Sequence, residues 1–361
     1  MTLILFLLGL ILLAGGAEIL VRGAARLAAA VGVSPLVIGL TVVAFATSAP
    51  EMAVGIRAAL TGAAGGDLAV GNIVGSNIFN ILFVLGISSV IAPLCVTRQL
   101  VRVDVPIMIS VSILTFLLAY DGRVGTFDGL LLFACAIAYT IFAIVMGRRD
   151  VPSDPDEYAV RYGGPSAGRV FVVNGLYIVA GLGLLVLGAH WMVNGAIALA
   201  RTLGMSELVI GLTVVAAGTS LPEVATAVMA SLRGQRDIAV GNVVGSCIYN
   251  LVAVLGLVTV VTPGGLPVST SVLAFDLPVM VTVALICLPI FFTRFTIARW
   301  EGGLFLAYYI GYTAFLILAA AEHDALRTFT TVVIFFAGPL TLLMLALTAW
   351  RQSRREFEVK A

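Results

Sequence analysis

Residues 34–62 return without a gap as residues 206–234, and positions 36–44 are identical to 208–216 over nine consecutive residues. A chain with this duplication is committed to building one unit twice. The match runs upstream, where Gly16-Ala17, Val21 and Gly23-Ala24 meet Gly188-Ala189, Val193 and Gly195-Ala196. It also runs downstream, where Asp67 and 71–80 meet Asp237 and 241–250. Fainter traces follow in Asp104-Val105-Pro106 against Asp276-Leu277-Pro278, and in Tyr139-Thr140 against Tyr312-Thr313.

The repeated unit is a string of apolar segments. Hydrophobic residues make up 61% of the chain and charged ones 11%, where soluble domains carry about a quarter charged. Spans fall near 3–30, 35–61, 67–92, 104–120, 126–146, 170–200, 206–232, 237–262, 272–293, 302–320 and 327–350, eleven in all. At about 1.5 Å per residue such segments cross a hydrocarbon core of about 30 Å, and only helices or closed barrels satisfy their backbone there. The expected fold is an all-α polytopic membrane protein with the lipid bilayer as its surroundings. The first segment begins at Thr2 with no basic n-region and no small-residue cleavage site, so it is expected to stay as a span. A net charge of +1 says little about partners, and no nucleic-acid partner is expected. Cys95, Cys135, Cys247 and Cys287 are scattered without metal-type spacing and read as inert core residues.

One long polar connection, from Gly147 to Arg169, divides the chain. The plan is a first five-helix repeat over 1–146 with its motif at 39–86, then a linker over 147–169. A second repeat follows over 170–320 with its motif at 211–256, and an extra transmembrane helix with a basic tail occupies 321–361. Five spans per repeat is an odd number, so the second copy enters the membrane from the opposite side. Inverted repeats of this kind place a transport site near the midplane where the copies meet. Of the 20 Lys and Arg residues, Arg57, Arg123, Arg201 and Arg327 fall on one face and the other 16 on the opposite one. The positive-inside rule then puts the linker and the C-terminus in the cytoplasm and the N-terminus outside.

Within the duplicated run, Thr47-Ser48-Ala49-Pro50-Glu51 and Thr219-Ser220-Leu221-Pro222-Glu223 set a proline and a carboxylate among apolar residues. Each proline lacks an N–H and clashes with the carbonyl four residues back, so the helix is expected to bend and free the carbonyls of Ala46 and Gly218. Thr47, Ser48, Thr219 and Ser220 surround these breaks with hydroxyls. Irregular backbone at membrane depth is tolerated where it is buried or lines a cavity, so the oxygens are expected to face an internal site. A carboxylate near the bilayer centre costs about 2.5–3.5 kcal/mol and is functional by default. Two of them, Glu51 and Glu223, repel unless a cation joins them. On the following spans Ser76 with Asn80, and Ser246 with Asn250, stand four residues apart and share a face. An all-oxygen set of this composition suits Ca²⁺ or Na⁺ rather than zinc or copper.

Other polar groups are expected to do less. Gly71, Gly75, Gly241 and Gly245 form Gly-x-x-x-Gly spacings that let helices approach closely. Glu18 and His190 occupy matching positions and read as interfacial polarity rather than a proton relay. Asp104 and Asp276 precede prolines and read as helix caps, and His323 beside Glu322 and Asp324 reads as a solvated loop residue. No His/Cys metal set and no nucleophile–base pair speaks for an enzyme, and no cofactor is implied. A cation channel would use similar oxygens but usually assembles its filter from several subunits, whereas this chain carries both halves of a two-fold site.

At these residues the chain resembles the sodium/calcium exchanger family of cation/calcium antiporters, especially its prokaryotic members. The resemblance covers about ten spans and rests on Gly/Ala-Thr-Ser-x-Pro-Glu followed by Gly-Asn-x-x-Gly-Ser-x-x-x-Asn, present twice. It implies a ten-helix core in the prokaryotic inner membrane, with spans 2, 3, 7 and 8 lining the site and spans 1 and 6 as a sliding gate. It implies calcium held by Glu51, Glu223 and the carbonyls of Thr47 and Thr219. Sodium would use the same glutamates, Ser48, Ser76, Ser220, Ser246 and the carbonyls of Ala44 and Ala216. Inorganic cations are thus the implied partners, and the sequence gives no oligomeric state. Asn250 stands where archaeal and potassium-dependent animal members carry aspartate, which argues against potassium coupling and leaves the coupling ion open between Na⁺ and H⁺.

Overall fold

The computed structural model describes residues 2–31, 33–60, 63–147, 167–202, 216–292 and 295–321, with positions 326 and 338. Among them, nine helices are long and apolar enough to cross a membrane: Ile4–Ala30, Pro35–Ala59, Leu68–Ile91, Leu100–Leu118, Thr126–Gly147, Phe171–Leu199, Arg236–Val261, Val272–Phe292 and Arg299–Ala320. These are spans 1 to 6 and 8 to 10. The shorter apolar helix Leu221–Leu232 is the second part of span 7. The linker and the eleventh expected span, 327–350, lie outside the described residues.

Span 8 is the axis of the molecule. Every residue from 238 to 256 is buried, the polar Asn242, Ser246 and Asn250 among them. Its glycines are where the first repeat leans on the second. A Cβ at Gly241 would lie 2.8 Å from the Leu36 carbonyl oxygen, and one at Gly245 would lie 2.5 Å from that of Leu40. Spans 1 and 6 form a second close pair, in which a Cβ on Gly16 would meet the Gly181 carbonyl oxygen at 2.8 Å. Lipid offers no hydrophobic drive between helices, so such backbone contact is what holds them together.

Two short pairings tie the repeats together at the ends of the bundle. Leu94-Cys95 pairs antiparallel with Thr296-Ile297, and Arg123-Val124 pairs antiparallel with Leu266-Pro267. The first joins the 3–4 connection to the 9–10 connection, the second the 4–5 to the 8–9. Paired loops share a face, so an even number of crossings must separate them. Between the second pair, spans 5, 6 and 8 supply three crossings and the span ending in Leu221–Leu232 supplies the fourth. This is the parity of two inverted five-helix repeats.

Several spans are not regular α-helices. Wider π-helical turns occupy Gly39–Val43, Asn80–Leu85, Leu100–Asp104, Asn250–Val254 and Val272–Asp276. The last four form two symmetry-related pairs. π-turns of this kind gather at functional sites.

Asp104 corrects a sequence expectation. It makes no side-chain cap to the helix that follows. Instead it is fully buried and accepts a hydrogen bond from the Tyr139 hydroxyl at 3.2 Å. Asp276 likewise accepts one from Tyr312 at 2.7 Å. In each repeat, two faint sequence matches are therefore one contact between the fourth and fifth helices. Glu18 is an ion-pair partner of Arg22 and of Arg233, the latter at 2.7 Å, which ties span 1 to the end of span 7. Its counterpart His190 lies 3.0 Å from the Asn194 amide.

Candidate cation site

The helix breaks fall at the serines. Ser48 (φ −78°, ψ 0°) separates Ala44–Thr47 from Ala49–Ala59, and Ser220 (φ −92°, ψ 10°) separates Ala216–Gly218 from Leu221–Leu232. Pro50 and Pro222 occupy the first turn after each break, where a missing N–H costs nothing. The bend expected at the prolines is thus realised two residues earlier. Glu51 and Glu223 stand in the first turn of the new helix, at the positive end of its dipole. Both are completely buried.

Around Glu51 the two repeats meet. Its Oε1 accepts from the Ser220 hydroxyl at 2.8 Å and lies 3.4 Å from that of Ser76, and the two serine oxygens are 3.2 Å apart. Across the pseudo-two-fold axis the partners differ. The Thr47 hydroxyl donates to Asn242 Oδ1 at 3.1 Å and lies 3.4 Å from Ser246 Oγ and 3.3 Å from the Ala44 carbonyl. Ser246 Oγ lies 3.5 Å from that same carbonyl, and the Thr219 hydroxyl lies 3.5 Å from Asn72 Oδ1.

What remains is a set of buried oxygens with no hydrogen-bond partner among the described residues. On the breaks and the spans beside them these include Ser48 Oγ, Glu51 Oε2, both carboxylate oxygens of Glu223, and Oδ1 of Asn80 and of Asn250, whose amide nitrogens are unpartnered as well. Leaving such groups unsatisfied costs about 1–3 kcal/mol each, more when charged. Hard oxygens left unpaired on the two carboxylates and beside the two breaks are what a hard cation compensates, and the donor set fits that chemistry. No group of three or more His, Cys, Asp or Glu gathers among the described residues, so the charge here comes from two carboxylates.

Every expected oxygen donor lies on the elements that build these breaks or on the two spans that pass them. Ser76, Ser220 and Glu51 form one contact group, Thr47 and Ser246 a second, and Thr219 touches Asn72. Ser48, Asn80, Asn250 and Glu223 are fully buried on the same elements, without side-chain hydrogen-bond partners among the described residues. Sequence reasoning gave no role to Asn72 and Asn242, although each stands four residues before a site serine. That spacing was the available signal. It also gave no warning that the π-helical turns of spans 3 and 8 begin at Asn80 and Asn250.

Comparisons with known proteins agree with this architecture. A family model described as "Sodium/calcium exchanger protein" matches residues 1–145 and 173–318. The putative antiporter CaxA of Alkalimonas amylolytica is 36% identical over 312 residues, covering 86% of this chain and 96% of that protein. The sodium/calcium exchanger MaX1 of Methanosarcina acetivorans is 32% identical over 350 residues, covering 87% and 97%. Among solved structures, the sodium-calcium exchanger NCX_Mj soaked with 10 mM Na⁺ and 10 mM Sr²⁺ superposes with a TM-score of 0.73 at 32% identity, covering 88% of this chain and 97% of that one. The chain belongs to the sodium/calcium exchanger protein family, and so to membrane transporters of the cation/calcium antiport type rather than to enzymes.

Proposed function

We propose that the protein exchanges Ca²⁺ for Na⁺ by alternating access, with one set of oxygens serving both ions where the two repeats meet. Calcium is held by Glu51 and Glu223 and by the backbone carbonyls of Thr47 and Thr219. Two carboxylates and two carbonyls supply up to about six oxygens, the lower end of what calcium takes. Sodium draws on the same glutamates, on Ser48, Ser76, Ser220 and Ser246, and on the carbonyls of Ala44 and Ala216, with Asn80 and Asn250 adding neutral amide oxygens. Because both ions need both glutamates, neither can be bound fully while the other is present. Exchange follows from that competition.

The observation that carries this reading is the shared carboxylate. Ser76 from one repeat and Ser220 from the other converge on a single oxygen of Glu51, while its second oxygen and both oxygens of Glu223 are buried and unpaired. The names of MaX1 and NCX_Mj, and the Na⁺ and Sr²⁺ soaked into the latter, support the choice of ions. The excess of basic residues on one face orients the protein with the N-terminus outside and the C-terminus in the cytoplasm, in an inner membrane of prokaryotic type.

The test is calcium-45 uptake into proteoliposomes under an imposed sodium gradient. Wild-type protein should drive it, and Glu51→Gln combined with Glu223→Gln should bring it to the level of protein-free vesicles. Uptake that survives the double substitution would sink the site assignment. Uptake driven by a pH gradient in sodium-free buffer would assign the coupling to H⁺, and conductance without counter-transport would make the protein a channel.

A further inference from the structure

Asn72, Ser76 and Asn80 recur every four residues along span 3, and Asn242, Ser246 and Asn250 do so along span 8. Each face therefore carries three polar layers, one above another. The exchange reading uses the second and third layers. The first layer reaches across to the other repeat, and it does so on both halves of the molecule. Asn242 Oδ1 accepts from the Thr47 hydroxyl at 3.1 Å, and Asn72 Oδ1 lies 3.5 Å from that of Thr219. The first contact is wholly buried and the second partly so.

We propose that Asn242 and Asn72 are positioning residues of the cation site. Asn242 holds the Thr47 hydroxyl at the helix break of the opposite repeat and so aims that threonine's backbone carbonyl at the ion, and Asn72 stands in the equivalent, looser position 3.5 Å from the Thr219 hydroxyl; this rests on the exchange reading above. The physical reason lies in the break itself. Thr47 and Thr219 immediately precede residues with ψ near 0°, Ser48 and Ser220, where the regular ladder that orients carbonyls along a helix is interrupted. In a β-branched residue the side-chain rotamer and the backbone dihedrals constrain one another. Holding the hydroxyl therefore holds the peptide unit. The grip is available only from the partner repeat, because the inverted arrangement runs span 8 past the break of span 2 and span 3 past that of span 7. Completion of one repeat's carbonyl ligand by the other is a coupling that neither repeat could supply alone.

The test is equilibrium binding of calcium-45 to the purified full-length protein, with thermal unfolding measured in parallel. Asn242→Leu removes the carboxamide at nearly constant volume, and Thr47→Val removes the hydroxyl while keeping the carbonyl. Each should weaken calcium binding roughly five- to ten-fold, the effect of about one lost hydrogen bond. The double variant should be no weaker than either single one, since both break the same contact. Thr47→Ser, which returns the hydroxyl, should recover most of what Thr47→Val loses. Losses that multiply in the double variant, or calcium binding undisturbed by Asn242→Leu, would overturn the grip while leaving the exchange reading in place. Wild-type protein that binds no calcium would overturn both. A loss of affinity that simply tracks a fall in thermal stability and is not recovered by Thr47→Ser would mean a packing role and would also overturn the grip.

Discussion

At the scale of residues, the two halves of the site share a composition but not a set of contacts. Ser220 donates to Glu51 at 2.8 Å, whereas the hydroxyl of its counterpart Ser48 is buried without a partner among the described residues. The two serines should therefore separate in stability even though both are proposed sodium ligands. In buffer free of sodium and calcium, where no cation holds the buried carboxylates ionised, Ser220→Ala should cost about 0.5–1.5 kcal/mol, typical of a hydrogen bond between neutral groups. Ser48→Ala should cost little, because it removes an unsatisfied polar atom. Unfolding of the detergent-solubilised protein reads the difference, and equal losses would show that Ser48 is bonded after all. In sodium-driven uptake both should raise the sodium concentration needed for half-maximal rate. The residues themselves were legible in the sequence, because a carboxylate and a proline in an apolar run have no bland explanation. Their hydrogen-bond partners were not, since Ser220 lies 169 positions from Glu51 and nothing local specifies that approach.

At the scale of elements, adjacent glycines in span 1 separate packing from mere composition. Gly15 is exposed with nothing near a built Cβ, while a Cβ on Gly16 would lie 2.8 Å from both the Gly181 carbonyl oxygen and the Leu185 nitrogen. Gly15→Ala should be neutral or slightly stabilising through helix propensity. Gly16→Ala should force spans 1 and 6 apart and cost about 1–3 kcal/mol. Thermal unfolding of the two single variants checks this, and similar midpoints would mean that the span 1–span 6 seam does not depend on backbone contact. Span positions were legible from hydropathy to within a few residues, as Leu68–Ile91 against the expected 67–92 illustrates. The interior of the spans was not. The prolines announced the breaks but not their place at Ser48 and Ser220, nothing announced the π-helical turns, and Asp104 became a partner of Tyr139 rather than a cap because the fifth helix lies within reach of it.

At the scale of the whole molecule, the inverted arrangement makes a covalent prediction. Cys95, exposed in a connection rather than placed in the core as its sequence setting suggested, is directly opposite Thr296 in the antiparallel pairing that joins the two repeats, and opposed positions of this kind bring Cα atoms within disulfide range. Thr296→Cys should therefore cross-link to the native Cys95 on mild oxidation. With a protease site placed in the 147–169 linker, cleavage should leave one band without reductant and two with it. Two bands under both conditions would contradict the pairing of the 3–4 and 9–10 connections, and with it the parity of the repeats.

The sequence by itself determined that this chain lives in a bilayer, that it contains one unit twice, and that the copies are inverted. Hydropathy, a gap-free duplication and an odd number of spans leave no other arrangement. It also determined which side chains bring oxygen and charge to membrane depth. Only the tertiary structure decided how they are paired. A duplicated motif does not say whether its copies face each other or stand apart, and it was the close approach of span 8 to span 2 at Gly241 and Gly245 that set Asn242 against Thr47, as the meeting of the two breaks set Ser220 against Glu51. Those contacts depend on helix packing between distant parts of the chain, where a shift of one residue along a helix turns a side chain by about 100° and carries it out of reach.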